Sequence, residues 1–294
     1  MNPTLRHDET YQRMLKDIFS NSRNHNDRTG VGTHSVFGGE YQYPLSHGFP
    51  LLTTKKMAWK SIVNELIWIL RGHTDVKWLQ ERKCTIWDEW ATAEACAEFG
   101  RKEGDLGPVY GFLWRHFGAS YKDAWTDYTG QGTDQIKRLS DMLLKDPGSR
   151  RLIVTGWDPA VCDKVALPPC HTLWQCKVHE GGILDLKLHQ RSADSFLGAP
   201  FNIASYALLL QLLAWTHGFE PGTFIHSFGD LHVYRNHVDQ VNEQLSRKPF
   251  SSPTIKISDR LKGRGFEGLM EFDVSDVELL GYHSWGKLAA PVAI

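Results

Sequence analysis

Two consecutive prolines lead into a single cysteine at Leu167-Pro168-Pro169-Cys170-His171, and a strand-like run to Val178 follows. Each proline fixes its own φ and lacks an N–H, and Pro168 restricts Leu167 as well, so the backbone has little freedom on its way into Cys170. A cysteine placed this rigidly, with a histidine beside it, is a candidate nucleophile. The thiolate does such chemistry, and neighbouring cationic groups raise its fraction. From the pentapeptide alone, a buried structural cysteine is the competing reading.

The rest of the composition narrows the class of protein. The 294 residues are 41% hydrophobic and 23% charged, enough apolar material for a sizeable core. A formal net charge of -1 gives no electrostatic support to general nucleic-acid binding. Cys84, Cys96, Cys162, Cys170 and Cys176 are odd in number and scattered, which argues against a disulfide framework and for a reducing, intracellular setting. No Cys/His quartet and no HExxH accompanies the 14 histidines, so no metal is expected. Residues 1–8 lack the apolar core of a signal peptide, and the longest apolar run, near 204–215, is too short and polar to span a bilayer. A soluble, cytoplasmic protein is expected.

Periodicity predicts helices over 8–20, 57–70, 134–145, 202–217 and 233–245, with a short one around Val76, Trp78 and Leu79. Strand signals fall at 34–44, 151–157, 172–178 and 183–190, the last alternating through Leu184, Leu186 and Leu188. Gly72 and Gly218 close two of the helices. Residues 91–104 and 118–133 read as polar surface insertions. With no repeat and no low-complexity linker, residues 1–294 form one α/β (α+β) domain, a mixed sheet flanked by helices.

Several residues stand in contexts that suit a ligand. Arg28 lies in the loop Asn26-Asp27-Arg28-Thr29-Gly30-Val31-Gly32, where small residues let the backbone approach an anion. Arg150 and Arg151 open one strand, and Arg191-Ser192 closes another. Arginine forks and a hydroxyl suit a phosphate dianion. Asp194 and Asn202 flank Gly198 and Pro200, and an amide can donate to and accept from a heterocycle edge. Glu65 interrupts an apolar helical pattern, so it is either paired or raised in pKa. Tyr110 is presented by the tight turn Leu106-Gly107-Pro108-Val109.

Taken together, these stretches resemble thymidylate synthase. The motif around Cys170 is joined by Gln190-Arg191-Ser192-Ala193-Asp194, Phe196-Leu197-Gly198, Pro200-Phe201-Asn202, Gly229-Asp230 with His232 and Tyr234, Ser149-Arg150-Arg151 and the terminal Pro291-Val292-Ala293-Ile294. The resemblance runs nearly end to end in the family's order. It implies a homodimer, associating through the sheet, that transfers one carbon from 5,10-methylenetetrahydrofolate to carbon 5 of dUMP. It assigns catalysis to Cys170, Glu65, Tyr110 and Asp194. Arg28, Arg191 and Ser192 would hold the phosphate, with Arg150 and Arg151 reaching in from the second subunit. His171 and Asn202 would serve the base, and His232 and Tyr234 the deoxyribose. Lys55, Trp87, Asp194, Gly198 and Ile294 would serve the folate.

A sister family, the pyrimidine-nucleotide hydroxymethylases, starts from the same covalent addition and lets water capture the methylene. Here His189, Asp158, Trp174, Cys176, Ser195 and Ala199 depart from the synthase pattern. Polar His189 and Ser195 and small Ala199 would favour water entry, so a dUMP hydroxymethylase is the alternative. Trp87, Asn202 and the C-terminal Pro-Val-Ala-Ile favour the synthase. A catalytically silent nucleotide- or RNA-binding protein is the third reading, opposed by intact Cys170, Glu65 and Tyr110. A viral origin would move the expected location to the host cytoplasm.

Overall fold

The computed structural model describes residues 6–27 and 29–292, apart from the side chain of Asn24. In chain order the elements are α1 (His7–Asn21), β1 (Arg23–His25), β2 (Thr33–Phe37), β3 (Glu40–Pro44), α2 (Trp59–Leu70), α3 (Lys77–Gln80), α4 (Ala93–Ala97), α5 (Tyr110–Arg115) and α6 (Gln135–Lys145). Then come β4 (Ile153–Thr155), β5 (His171–Val178), β6 (Ile183–Asp194), α7 (Gly198–His217), β7 (Glu220–Tyr234), α8 (Val238–Ser246), β8 (Thr254–Ile257), α9 (Gly265–Glu271) and β9 (Val277–Leu280). This is the expected mixed α/β domain.

The main sheet runs β1-β2-β7-β6-β5-β4, with β3 also paired to β7. Only β6 and β7 are parallel, and α7 is the helical crossover that a parallel pair needs. Alternation decides which face is buried. Leu184, Leu186 and Leu188 of β6, Phe224 and His226 of β7, and Trp174 and Cys176 of β5 all lie under the helices. The opposite face carries Leu173 and Ile153, exposed at 39% and 44%, with Lys187 and His189. Helix α7 is apolar on nearly every side and forms the centre of the core, as such a helix must. Gly218 ends it at φ +79°, a left-handed conformation that glycine adopts without a Cβ clash. Among the described residues no helix is long and apolar enough to cross a membrane.

The strand that organises the sheet, β7, is not visible in the sequence pattern, and its last two residues fall inside the helix expected over 233–245. That helix starts five residues later, at Val238. Strand β7 is packed on both edges, so pairing rather than intrinsic preference holds Pro221, Gly222, Gly229 and Asp230 extended. At Gly229 a Cβ would stand 2.6 Å from the carbonyl oxygen of Arg191, so only glycine lets β7 pass β6 this closely. The strand expected over 34–44 is two, β2 and β3, pairing with successive halves of β7. Gly38 and Gly39, both at positive φ, make the jog between them.

Helix α4 lies within residues 91–104, with Cys96 buried. In residues 118–133, Tyr121 and Tyr128 stack at 5.7 Å, and both meet Phe112 edge-on at 4.9 Å. Both segments are tied inward by aromatic and apolar side chains, in addition to the polar surface that their composition suggests.

Candidate active site

The start of β5, the carboxyl ends of β6 and β7, and the first turn of α7 converge at one end of the sheet. Carboxyl ends of parallel strands are where open α/β sheets commonly bind ligands. His171 sits opposite Gln190, Ser192 opposite Asp230, and Asp194 opposite His232. This register brings together residues as far apart in the chain as His171 and His232.

Cys170 is partly exposed at the edge of this cleft, and its approach is clamped from β6. Arg191 donates through Nε to the Pro169 carbonyl (2.9 Å) and through Nη2 to the Pro168 carbonyl (2.8 Å), while its backbone N–H donates to the Cys170 carbonyl (2.8 Å). Its guanidinium also lies 5.3 Å over the Trp157 ring. The Tyr110 hydroxyl accepts the Cys170 N–H at 2.7 Å and the His171 N–H at 3.3 Å. Burial pushes the Cys170 thiol up, and the positive charge of Arg191 offsets only part of that. The resting group is therefore a thiol: Arg191 raises its thiolate fraction, as a nearby cation should, but burial outweighs it.

Glu65, on α2, is only partly buried. Burial lifts its carboxyl to about 7, against a hydrogen bond from Trp87 Nε1 to Oε1 (2.8 Å). Trp87 meets Tyr110 edge-on at 6.1 Å, and Tyr110 lies 4.9 Å from the His171 ring. Tyr110 is raised by burial, then by Cys170. His171 is lowered to about 4 by burial, against a side-chain hydrogen bond with Asn202, so it is neutral at pH 7, and no hydrogen bond of normal geometry reaches its buried Nδ1.

Asn202 is oriented by a chain of hydrogen bonds. His226 Nε2 lies 2.8 Å from Gln190 Oε1, and burial holds that ring neutral, well below its usual range. With Oε1 accepting from His226, the Gln190 amide nitrogen donates to the Ser192 carbonyl (3.0 Å) and to Asn202 Oδ1 (3.1 Å). That fixes the Asn202 carbonyl towards Gln190 and leaves its NH₂ group to donate elsewhere. On β7, Asp230 accepts from Ser35 (3.1 Å) and holds His232 Nδ1 at 2.8 Å. The bond to His232, above all, keeps Asp230 below the usual carboxylate range. Tyr234 stands edge-on to His232 at 5.1 Å.

Asp194 Oδ1 accepts the N–H groups of Phe196 (2.8 Å) and Leu197 (3.1 Å), shaping the turn into α7. Space is left at Gly198, where a Cβ would meet nothing nearer than 4.0 Å. Lys55 turns inward. Its ammonium donates to the Phe196 carbonyl and lies 3.9 Å from the centre of the Phe196 ring. Burial lowers it to about 7, with the charge of Asp194 opposing. The structure thus ties Lys55 to the turn beside the cleft.

Arg150 and Arg151 do not join the cluster. Both are exposed at the start of β4, and the Arg150 carbonyl accepts from Gln175, four residues or about 13 Å along β5 from His171. Arg28 and Ile294 lie outside the described residues. Around Arg28, Asp27 shapes the loop by accepting from the Thr29 hydroxyl (2.6 Å) and the Gly32 N–H (2.8 Å).

A family model described as thymidylate synthase matches residues 9–294, which include every element of the cleft. The chain belongs to the thymidylate synthase family. It is 46% identical over 287 residues to the thymidylate synthase of Equine herpesvirus 2 (strain 86/87), covering 97% of each protein. It is 45% identical over 293 residues to the bifunctional dihydrofolate reductase-thymidylate synthase of Zea mays, covering 98% of this chain and 55% of that protein. The chain is a methyltransferase of this family, and the synthase reading is favoured over the hydroxymethylase.

The departures from the synthase pattern agree with that preference. His189 points to the outer face of the sheet and is exposed there, on the opposite side from Gln190. Ser195 and Ala199 are fully buried, so neither lines an opening for water. Trp174 and Cys176 belong to the core, Trp174 packing edge-on against Trp114 at 5.5 Å, and Asp158 caps the N–H of Ala160.

Gln190 and His226 have no role in the sequence reading, although one signal was available. Gln190 continues the buried alternation of Leu184, Leu186 and Leu188, and a polar residue in that register has to be satisfied by a buried partner.

Proposed function

We propose that this chain reductively methylates dUMP to dTMP, with 5,10-methylenetetrahydrofolate as one-carbon and hydride donor. The observation that carries the reading is the placing of the Cys170 thiol, the oriented Asn202 amide and the raised Glu65 carboxyl around one cleft.

Cys170 adds through sulfur to carbon 6 of the uracil, and carbon 5 gains the electron pair that makes it nucleophilic. The addition starts from a thiol, so a proton leaves sulfur as the C–S bond forms. Glu65, near 7, can take and return protons at neutral pH. Tyr110, anchored by two backbone N–H groups, stands where the proton of carbon 5 departs. The Asn202 NH₂ group donates to a uracil carbonyl, and neutral His171 contributes a buried polar nitrogen beside it. His232, held at Nδ1 by Asp230, presents Nε2 with Tyr234 to the deoxyribose hydroxyl. Ser192, Arg28 and the free edge of Arg191 take the phosphate.

The folate supplies the methylene and the hydride. The space at Gly198, the Asp194 carboxylate beside it and the Trp87 ring suit a flat heterocycle with polar edges. Lys55 serves it by holding the turn at Phe196, and Ile294 by closing over it.

The working form is a homodimer. Support comes from the exposed Leu173 and Ile153 on the outer face of the sheet. Arg150 and Arg151 are also exposed, remote from their own Cys170, and without a carboxylate partner among the described residues. A partner's cleft is where the family resemblance puts them. The cytoplasm, or the host cytoplasm for a virus-encoded chain, is the proposed location, supported by five free cysteines. The proposed partners are dUMP and reduced folate, with neither membrane nor DNA.

The test is incubation with 5-fluoro-dUMP and methylenetetrahydrofolate followed by intact-protein mass analysis. A covalent complex is expected with the unmodified chain. Cys170→Ser should form none, yet still bind dUMP, because the phosphate and base contacts lie on other residues. A complex that survives Cys170→Ser would remove that residue from the mechanism.

A further inference from the structure

His237 lies at the start of α8 and is fully buried, with its two ring nitrogens aimed at different parts of the protein. Nε2 is 2.7 Å from the carbonyl oxygen of Pro291 in the C-terminal segment. A carbonyl oxygen can only accept, so Nε2 carries the hydrogen. Nδ1 has no hydrogen-bond partner and faces Asp194 Oδ1 at 3.9 Å, the oxygen that shapes the turn into α7. The ring is held between Phe196 and Tyr234, each 5.5 Å away. One buried imidazole thus touches the C-terminal segment, the Asp194 turn and the aromatic residue that Lys55 also contacts.

The segment depends on this contact. Trp285 and Gly286 are anchored by backbone and side-chain bonds to Thr53, Lys248, Lys56 and Arg247. Beyond them, among the described residues, the hydrogen bond to His237 is the one that ties down residues 287–292. Leu288 and Ala290 add packing, while Val292 is 46% exposed. Without the bond, the last turn of chain before Ala293 would rest on the surface with little to define its position.

We infer that His237 is a positioning residue which latches the C-terminal segment to the Asp194 turn, setting one wall of the folate site. This rests on the proposed function for its consequence in turnover, but the latch itself is testable without any ligand. His237→Phe keeps the ring and removes the donor. His237→Gln removes the ring but keeps an N–H that can reach the carbonyl.

The experiment follows carboxypeptidase digestion of the ligand-free protein by mass spectrometry, timing the loss of Val292 and Pro291. Loss of one hydrogen bond to a buried donor should speed digestion about fivefold in His237→Phe, and His237→Gln should restore most of the protection. In steady state, KM for methylenetetrahydrofolate should rise by a similar factor in His237→Phe while dUMP affinity is unchanged. In a chain ending at Ala290, His237→Phe should add no further effect.

Equal digestion rates in folded His237→Phe and unmodified protein would overturn the latch, as would a Gln variant no better protected than Phe. A KM effect that persists in the chain ending at Ala290 would also overturn it. If His237→Phe does not fold, the long-range ¹H–¹⁵N spectrum of the unmodified chain decides. Its His237 Nε2–H signal must change when the chain ends at Ala290, and an unchanged signal refutes the contact. Inactivity of the unmodified protein on dUMP would instead count against the proposed function, leaving the digestion result to stand or fall separately.

Discussion

Replacing Glu65 by glutamine should stabilise the protein above neutrality while impairing its chemistry. Burial raises the Glu65 carboxyl from 4.5 to about 7 in the folded state, so between those values the folded chain holds a proton that the unfolded chain has lost. Stability contributed by this group is fully present below 4.5 and falls as pH rises through 7. At about 1.36 kcal/mol per pH unit, the interval amounts to about 3 kcal/mol. Glu65 is only partly buried, so solvent screening reduces this and makes the figure a ceiling. Glutamine keeps an oxygen to accept from Trp87 Nε1 and has nothing to ionise. Urea unfolding followed by tryptophan fluorescence, at one protein concentration, gives the comparison across pH. Glu65→Gln should match the unmodified chain near pH 4.5 and exceed it by up to about 3 kcal/mol at pH 8, since the other titrating groups cancel. A stability difference that does not change with pH would refute burial as the source of the raised carboxyl.

Two further outcomes follow from the cleft. Asn202→Asp would still accept from Gln190 through one oxygen and offer the other to an amino group, so preference should shift from dUMP towards dCMP. Competitive turnover of the two nucleotides measures this, and a preference for dCMP in the unmodified protein would contradict the base assignment. Mixing inactive Cys170→Ala subunits with inactive Arg150→Ala/Arg151→Ala subunits should restore part of the activity, because a mixed dimer has one site free of both lesions. A fully active monomer in sedimentation would rule that arrangement out.

Much of this molecule can be read from local patterns, and the missing parts share a cause. Helix α7 and strand β6 announce themselves because burial imposes an apolar run on one and an alternation on the other. Strand β7 does not, since Pro221, Gly222, Gly229 and Asp230 are held extended by neighbours on both sides, which no local window contains. The same contrast holds in the cleft. Glu65 stands out as a carboxyl among apolar residues, and its raised value follows from that setting. Arg191 reads as an anion ligand, but its clamp on Pro168 and Pro169 depends on the pairing of β5 with β6. Lys55 is assigned to the folate by resemblance alone, and its ties to a buried carbonyl and ring emerge only in the fold. The direction of His189 follows from a register that puts Gln190 inside.

Product analysis tests the synthase chemistry most directly. Unmodified protein would be given dUMP and methylenetetrahydrofolate, with nucleotide mass and dihydrofolate absorbance followed together. With Ser195 and Ala199 buried and His189 on the far face, none of these three departures opens a path for water, and the reaction should yield dTMP and dihydrofolate one-for-one. Hydroxymethyl-dUMP appearing without dihydrofolate would contradict it.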